Sequence, residues 1–224
     1  MSANKNQAVK NWLPDQVFGG ADTTTLSTPL GEMNVRSLRT PHGRTLNCRV
    51  AQNVVSIDDA DQPEYYFNAV ADNALPSHIE EAHGVGRVLF LGIRSKVGDV
   101  YHPDLYAGVM LEHTIRYLDR QAGRGEQVPL KYVRNYWSPL DEDGATNYHM
   151  FIEALGDIAE PTPEQLRTAA FATWTGQQVL RHGFLEVADI RREDLASPAI
   201  SVYFNRPYVG TTLPSVAALG PEVI

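Results

Sequence analysis

The alternation of apolar and polar residues predicts several β-strands. In GEMNVRSLRTPHGRTLNCRVAQNVVSI, two alternating runs flank TPHGR, a turn that contains Pro41 and Gly43 and indicates a β-hairpin. GRVLFLGI (86–93) is a near-continuous apolar run, which is typical of a strand covered on both faces. Residues 128–137 carry Tyr and Val at β-favouring positions, and FLEVADI and AISVYFNRP predict a closing pair of strands.

Helical periodicity appears in two longer segments. The first covers residues 103–123, with Pro103 suited to its first turn, Gly123 as its stop, and apolar residues at helical spacing: Leu111, Ile115, Leu118 and Ala122. The second covers residues 161–183, where Thr162 and Gln165 form a capping box and Gly183 ends the helix. Two short apolar stretches, residues 65–67 and TNYHMFIEALG, fit either a strand or a helix.

This order of elements predicts an α+β protein. Strands and helices are interleaved without a regular βαβ repeat, so we expect a single domain with a mixed, mostly antiparallel central sheet flanked by helices. The domain is predicted over residues 31–207, between a partly ordered N-terminal arm (1–30) and a C-terminal tail (208–224).

Composition and charge narrow the function classes. The formal net charge of −8 disfavours nucleic-acid binding, because an acidic surface repels phosphate backbones. No apolar run is long enough for a transmembrane helix, and the polar N-terminus does not read as a secretory signal, so a cytoplasmic protein is expected. Cys48, the only cysteine, alternates with Leu46 and Val50, which favours a small buried core residue over a nucleophile.

Several common catalytic and metal-binding motifs do not fit the chain. His78 and His83 in HIEEAH are five residues apart, whereas the zinc-protease helix needs a spacing of four, so no metal is expected. The glycines of HGVGRVLFLG precede a strand, whereas the dinucleotide fingerprint places them after one. No GxxxxGK[ST] or GxSxG sequence occurs.

The order of elements over residues 86–207 resembles that of the GNAT superfamily of N-acyltransferases. The residues that carry the resemblance are Gly108 in PDLYAGVML, Asn135 at the end of LKYVRN, and the pair Gly183–Phe184. The chain departs from the family pattern at Leu105 and Met110, where its phosphate turn has Gln or Arg and Gly or Ala, and at Val179, where a tyrosine acid is common.

The resemblance implies a donor site. In that family a pantetheine arm lies between two central strands, which here are residues 87–93 and 129–135, and the pyrophosphate meets amides at a helix start. The donor-binding residues implied for this chain are Leu91, Ile93, Arg94, Tyr106, Gly108 and Asn135. The donor would be acyl-CoA or an acyl carrier protein, and Arg94, Lys96 and Arg124 would meet an acidic carrier.

If the resemblance holds, the reaction moves an acyl group to an amine of a small molecule or protein. Acyl transfer needs a base for the amine and donors for the developing oxyanion. Tyr148, His149 and Glu153 are the candidate acid or base residues, each with an alternative structural role.

Two other functions stay open: a non-enzymatic acidic binding or inhibitor protein, similar to an antitoxin, and a toxin-type transferase acting on a dinucleotide. In an enzyme, GIRSKVGDVYHPDLYAG should line a cleft; in a binding module it should be packed or flat.

Overall fold

A computed structural model describes the chain over residues 12–19, 24–28, 31–124, 128–140, 142–192 and 198–207. These residues contain six helices and eleven strands. The strands are β1 (Thr24–Thr28), β2 (Gly31–Arg39), β3 (Thr45–Val50), β4 (Val54–Asp59), β5 (Tyr66–Asp72), β6 (Arg87–Arg94), β7 (Lys96–Val97), β8 (Val100–Tyr101), β9 (Leu130–Trp137), β10 (Glu186–Arg192) and β11 (Ile200–Asn205). The helices are α1 (residues 12–19), α2 (Ser77–His83), α3 (Ala107–Gly123), α4 (Glu142–Leu155), α5 (Pro163–Ala172) and α6 (Trp174–Leu180).

Nine of the strands form one sheet in the order β1-β2-β3-β4-β5-β6-β9-β11-β10, and β7 and β8 form a separate hairpin. Every neighbouring pair in the large sheet is antiparallel except β6 and β9, which are parallel. The predicted α+β fold with a mixed, mostly antiparallel sheet is therefore confirmed. None of the helices in the described residues has both the length and the apolar character that a membrane span requires.

Helices cover the two faces of the sheet unequally. The main core joins inward residues of β3, β4 and β5, where buried positions alternate as the pleat requires, to buried residues of α1, α3, α4, α5 and α6. A smaller cluster on α2 brings Ile79 against Val88, Tyr132 and Tyr203. Val88 and its neighbour Leu89 lie in different clusters, so the start of β6 is covered on both faces as its apolar run predicted.

The N-terminal region contributes to this domain. Leu13 and Val17 of α1 are buried in the main core, and β1 extends the sheet beyond β2. The predicted domain boundary at residue 31 therefore lies inside the structured region. The predicted C-terminal tail (208–224) lies outside the described residues.

The predicted hairpin is a meander of three strands. Its second run is interrupted at residues 51–53, after which β4 pairs with β3 in the opposite direction. The Ala51 N–H bonds the carbonyl of Val54 at 2.8 Å, which closes this short turn. Because alternation continues on both sides of the turn, the sequence pattern does not reveal it.

The segment 161–183 is two helices rather than the one predicted. The predicted capping box of Thr162 and Gln165 begins α5, but Thr173 is extended (φ −71°, ψ 161°) and both ends α5 and caps α6. Its Oγ1 accepts from the Gly176 N–H at 3.0 Å and donates to the Ala170 carbonyl at 2.8 Å. Gly183 (φ +81°) lies in the turn after α6, as expected of a helix stop.

The first predicted helix begins later than its sequence suggested. α3 starts at Ala107, so Pro103 lies in the loop before it and not in its first turn. This loop forms because the backbone N–H groups of Asp104 and Leu105 bond the buried ring of His102.

The close contact of α5 with α6 makes Gly176 a sensitive position. A Cβ there would lie 2.2 Å from the Ala170 carbonyl oxygen and 2.7 Å from the Cα of Phe171, so backbone would have to move. We expect Gly176→Ala to lower the free energy of unfolding by about 1–3 kcal/mol or more, measured by urea denaturation. The control is Gly123→Ala, where a Cβ meets nothing within 4 Å. Equal effects of the two substitutions on the free energy of unfolding would contradict the close contact of Gly176 with α5 as the cause.

Candidate functional site

The carboxyl ends of β6 and β9 lie at one end of the sheet, which we call the carboxyl edge. The sheet register shows that the end of β4 and the turn between β2 and β3 lie at the same edge as the end of β6. The connecting pairs are Arg94–Tyr66, Tyr66–Asp58, Asp59–Leu46 and Thr45–Arg39. Ligands of open sheets commonly bind outside the carboxyl ends of parallel strands, so this edge is the candidate functional site.

The ladder between β6 and β9 stops before either strand ends. Its last pair is Leu91 with Asn135. Beyond it β6 continues to Arg94 beside β5, and β9 continues to Trp137 beside β11. In the described residues no ladder pair joins 92–94 to 136–137, so the two central strands separate at the carboxyl edge. We call the space between these two strand ends the gap.

Asn135 is at the centre of the polar contacts where the strands part. Its Nδ2 donates to the carbonyl of Leu91 at 3.3 Å. Its Oδ1 accepts from the indole N–H of Trp137 and, at 3.0 Å, from the hydroxyl of Thr175. Asn147 of α4 completes the group: its Nδ2 donates to the Thr175 hydroxyl and its Oδ1 accepts from the Thr175 N–H, both at 3.0 Å. One network therefore ties β6, β9, α4 and α6 together.

The first turn of α3 lies against the same helix α6. Tyr106 precedes this turn and makes no side-chain capping hydrogen bond, and the turn contains no acidic residue. A Cβ at Gly108 would lie 3.1 Å from Oε1 of Gln178 and 4.0 Å from the Trp174 ring, so α6 is packed closely there. Burial, followed by the charge of Asp104, raises the pKa of Tyr106. Packing against Gln178 is thus a structural reason for Gly108, alongside the phosphate contact that the resemblance implies.

The remaining residues of the implied donor site lie on β6, and two further basic residues were predicted near it. Leu91 and Ile93 of β6 are partly buried and pack against the main core. Arg94 is the partly buried last residue of the strand. Lys96 lies beyond it in the β7–β8 hairpin, 3.5 Å from Asp99. Arg124 follows the far end of α3, about 25 Å from its first turn at 1.5 Å per residue, so its predicted place near the donor is wrong.

Helix α4 carries the three predicted acid or base residues on different sides. Tyr148 is partly buried and packs against the main core, next to the networked Asn147. His149 and Glu153 are one turn apart and exposed. The rings of Tyr148 and His149 meet edge to face at 5.9 Å. The structure thus places one of the three, Tyr148, on the inward side of the helix, and all three stay predictions.

A buried histidine–aspartate pair lies elsewhere on the carboxyl edge. His102 Nε2 is 2.9 Å from Oδ2 of Asp59, and both side chains are almost completely buried. The carboxylate partner of His102 is thus 43 residues away in the sequence. Because its Nδ1 accepts two backbone N–H groups, its proton lies on Nε2 and points at Asp59. Both ring nitrogens are therefore fully engaged in holding the loop before α3.

A cavity of about 280 Å³ opens beside this pair. It is lined by Arg44, Gln62, Tyr65, Val97, Val100, Tyr101, His102 and Pro103. Arg44 is held in place, with Nη1 2.6 Å from Oε1 of Gln62 and 3.6 Å from Asp59. Within the segment 92–108, Val97 and residues 100–103 line this cavity, and Val100 and Tyr101 are also exposed. The choice between an enzyme and a binding module therefore stays open.

A second pair joins His42 to Asp104, and sequence reasoning missed it. His42 Nδ1 lies 2.6 Å from Oδ1 of Asp104, whose carboxylate is completely buried although the imidazole is half-exposed. The two residues are 62 positions apart, in the β2–β3 turn and the loop before α3. No local sequence signal links them, because the sheet register alone brings these two loops to one edge.

Cys48 is unsuited to nucleophilic chemistry. It is buried in the main core, as its alternating position predicted. Burial raises the pKa of its thiol to about 12, so the thiolate that would act as a nucleophile is scarce at neutral pH. In the described residues no group of three or more His, Cys, Asp or Glu side chains is placed so that it could hold a metal ion.

Comparison with known proteins adds no relative to this picture: no family model, no curated protein and no solved structure matches the chain.

Two buried threonines test the Asn135 network. Thr175→Val removes the hydroxyl that bonds Asn135 and Asn147, and leaves the Nδ2 group of the buried Asn147 without its partner. We expect a loss of about 1–3 kcal/mol in the free energy of unfolding. Thr114→Val is the matched control, since its buried hydroxyl has no hydrogen-bond partner in the part of the chain that the structure describes, and its removal should be neutral or stabilising. Chemical denaturation measures both; a loss as large at Thr114 would show that volume, and not bonding, decides the outcome.

Asp59 predicts an acid-dependent loss of stability. Burial by itself would raise its pKa, but hydrogen bonds from His102, Asp61 and Gln62 outweigh burial and hold the pKa below its ordinary value. A lowered folded-state pKa means that the ionised form stabilises the fold above the unfolded pKa of about 3.9, and that this stabilisation is lost as pH falls through the folded-state pKa.

We therefore expect the stability difference between the wild type and Asp59→Asn to be constant from about pH 7 to pH 5 and to shrink below about pH 4. Urea denaturation at each pH measures it. Asp61→Asn, an exposed carboxylate two residues later, makes the same change in net charge and serves as the control. A difference that persisted undiminished at the lowest pH would contradict the assignment.

Proposed function

We propose that the protein transfers an acyl group from a thioester, either acyl-CoA or an acyl carrier protein, to an amine. The observation that carries this proposal is the early end of the ladder between the parallel strands β6 and β9, with the first turn of α3 close by across α6. This arrangement agrees with the resemblance to the GNAT superfamily, in which a pantetheine arm lies between two such strands.

The gap suits an extended arm that contains amides. The backbone of Gly92 and Ile93 in β6 pairs with β5 on one side, and no described strand pairs with these two residues on the other. An extended ligand binds such an edge by main-chain hydrogen bonds, as in β-strand addition. The amides of a phosphopantetheine arm supply the matching donors and acceptors. The uncapped first turn of α3 offers backbone N–H groups and the positive end of the helix dipole to its phosphate.

The reaction joins the amine nitrogen to the acyl carbon and breaks the carbon–sulfur bond. The amine must lose a proton as it attacks, and the leaving thiolate gains one, so the products are an amide and a thiol. Tyr148, which packs inward beside Asn147, and the outward His149 and Glu153 are the candidates for this transfer. Backbone N–H groups where the strands part would stabilise the oxyanion.

The acceptor is a small-molecule or protein amine. The cavity of about 280 Å³ at the same edge provides space for it, with Arg44 and Gln62 as polar groups in a largely apolar wall. The net charge of −8 fits an amine, which is a cation before it reacts.

A non-enzymatic binding protein is the second candidate function. It is favoured by Val100 and Tyr101, two exposed apolar residues side by side on the β7–β8 hairpin. Such a protein would cover a partner surface with this hairpin and would have no affinity for thioesters.

Thermal-shift titration with CoA, acetyl-CoA and longer acyl-CoAs distinguishes the two functions. A ligand at a hundred times its dissociation constant stabilises the native state by about 2.7 kcal/mol, which is easily measured. We expect a saturable shift with an acyl-CoA. Gly108→Asp should abolish it, because the carboxylate would repel the phosphates at the first turn of α3, while the same charge favours the helix itself.

Gly108→Asn is the matched control, because it makes the same steric contact with Gln178 without the charge. It should keep most of the shift. If no acyl-CoA shifts the wild-type melting temperature and no acyl carrier protein binds, the acyltransferase proposal fails and the binding function is supported.

A further inference from the structure

We propose that His42 and Asp104 form a proton-transfer dyad, with the Nε2 atom of His42 as the base and Asp104 as its positioning residue. The assignment of this base to acyl transfer rests on the function proposed above. The dyad itself rests on geometry in the β2–β3 turn and the loop before α3.

The hydrogen bond fixes which nitrogen of His42 can act. Asp104 presents a carboxylate, which only accepts hydrogen bonds, so the proton of the imidazole lies on Nδ1, 2.6 Å from Oδ1. Nε2 therefore carries the lone pair. The imidazole is 46% exposed and the carboxylate is 0% exposed, so the lone pair can meet a ligand while water is kept from the charge behind it.

In the described residues, the Asp104 carboxylate accepts a hydrogen bond from His42 and from no other group. A buried carboxylate needs compensation, and the other oxygen of Asp104, Oδ2, is buried with no hydrogen-bond partner in the described residues. A proton taken up at Nε2 would create an imidazolium directly against this carboxylate. The pair would thus stabilise the charge that develops during proton transfer.

The turn that carries His42 is held rigidly. Thr40 is buried, its N–H bonds the Arg44 carbonyl at 2.8 Å, and its hydroxyl accepts from the Arg44 N–H at 3.0 Å. The Gly43 N–H bonds the Thr40 carbonyl at 2.9 Å, and its φ of +80° favours glycine. The backbone of His42 is therefore positioned by the hydrogen bonds of the turn.

Two other histidine–aspartate pairs in the described residues lack this combination. In His102–Asp59 the ring is 1% exposed and both nitrogens are engaged, so it cannot accept a proton from a ligand. In His78–Asp189 both partners reach the surface, at 59% and 21% exposed, and the carboxylate also lies 4.0 Å from Arg191.

The dyad lies on the carboxyl edge, beside the cavity. Pro103 and Arg44, which line the cavity, are one and two positions from its members, and Asp104 lies three residues before α3. In the proposed reaction Nε2 takes a proton from the amine as its nitrogen bonds the acyl carbon. The imidazolium then gives that proton to the thiolate released when the carbon–sulfur bond breaks, so the base is regenerated.

The first experiment tests the dyad without any substrate. Diethyl pyrocarbonate acylates imidazole: the unprotonated nitrogen attacks one carbonyl carbon, and ethyl carbonate leaves and breaks down to ethanol and carbon dioxide. At about pH 8 ordinary imidazoles, with pKa near 6.5, are neutral. Peptide mapping of the full chain should show that His42 reacts several-fold faster than the exposed His78 and His149, and that Asp104→Asn removes the advantage. Equal rates, or no effect of Asp104→Asn, would overturn the proposal.

The second experiment tests the role of the dyad in turnover, using thiol release from the acyl-CoA that binds best. His42→Gln keeps a donor for Asp104 and should lower kcat by about 10²-fold or more with little change in KM. His78→Gln, at the other exposed pair, should leave both unchanged. Full turnover by His42→Gln would overturn the role of the dyad and leave the acyltransferase standing. A reactive His42 in a protein that releases thiol from no donor would instead reject the acyltransferase and keep the dyad.

Discussion

The parallel pairing of β6 with β9 is the constraint on which the rest of this structure depends. Antiparallel strands can be joined by a tight turn, but a parallel pair needs a crossover of a dozen or more residues. Here the crossover is residues 95–129, and it carries α3 back across the main core. Both strands consequently end at one edge, and the crossover must leave from that edge. The gap and the loop before α3 lie at one edge for this reason, and the antiparallel register from β2 to β6 brings the β2–β3 turn to the same edge.

The two ends of the sheet use buried charge differently. At the end opposite the carboxyl edge, Arg206 donates to both oxygens of Asp119 and lies over the ring of Phe184, which anchors the last turns of α3. Arg87 is buried nearby, donates to a carbonyl of the same helix, and burial lowers its pKa. These cations face the interior. At the carboxyl edge, by contrast, Asp104 is buried behind an imidazole that reaches solvent, and the proposed dyad rests on that asymmetry.

The sequence pattern predicted the strands and helices themselves better than the point at which one long helical segment divides in two. Both central strands, the capping box at Thr162 and the stop at Gly183 were predicted because each depends on local periodicity or on one backbone conformation. The break at Thr173 was missed because the residues on both sides have good helical patterns. What ends α5 is the extended backbone of Thr173, after which α6 packs so closely on α5 that a Cβ at position 176 would meet the backbone of Ala170 and Phe171. In the candidate site, the resemblance to the GNAT superfamily singled out Asn135 at the end of its strand, and its donor-binding role stays a prediction. Its hydrogen-bonding partner Thr175 and the linked Asn147 had no signal in the sequence.

By itself, the sequence determined the α+β class, the apolar central strands and the buried environment of Cys48, since periods of two and 3.6 residues record which side of each element faces the core. Only the tertiary structure decided which polar residues meet. His42 and Asp104 are 62 residues apart, and His102 and Asp59 are 43 apart. Side-chain periodicity extends along one element and carries no information on its neighbours. These pairs form because strand register and one parallel crossover bring distant loops to a single edge.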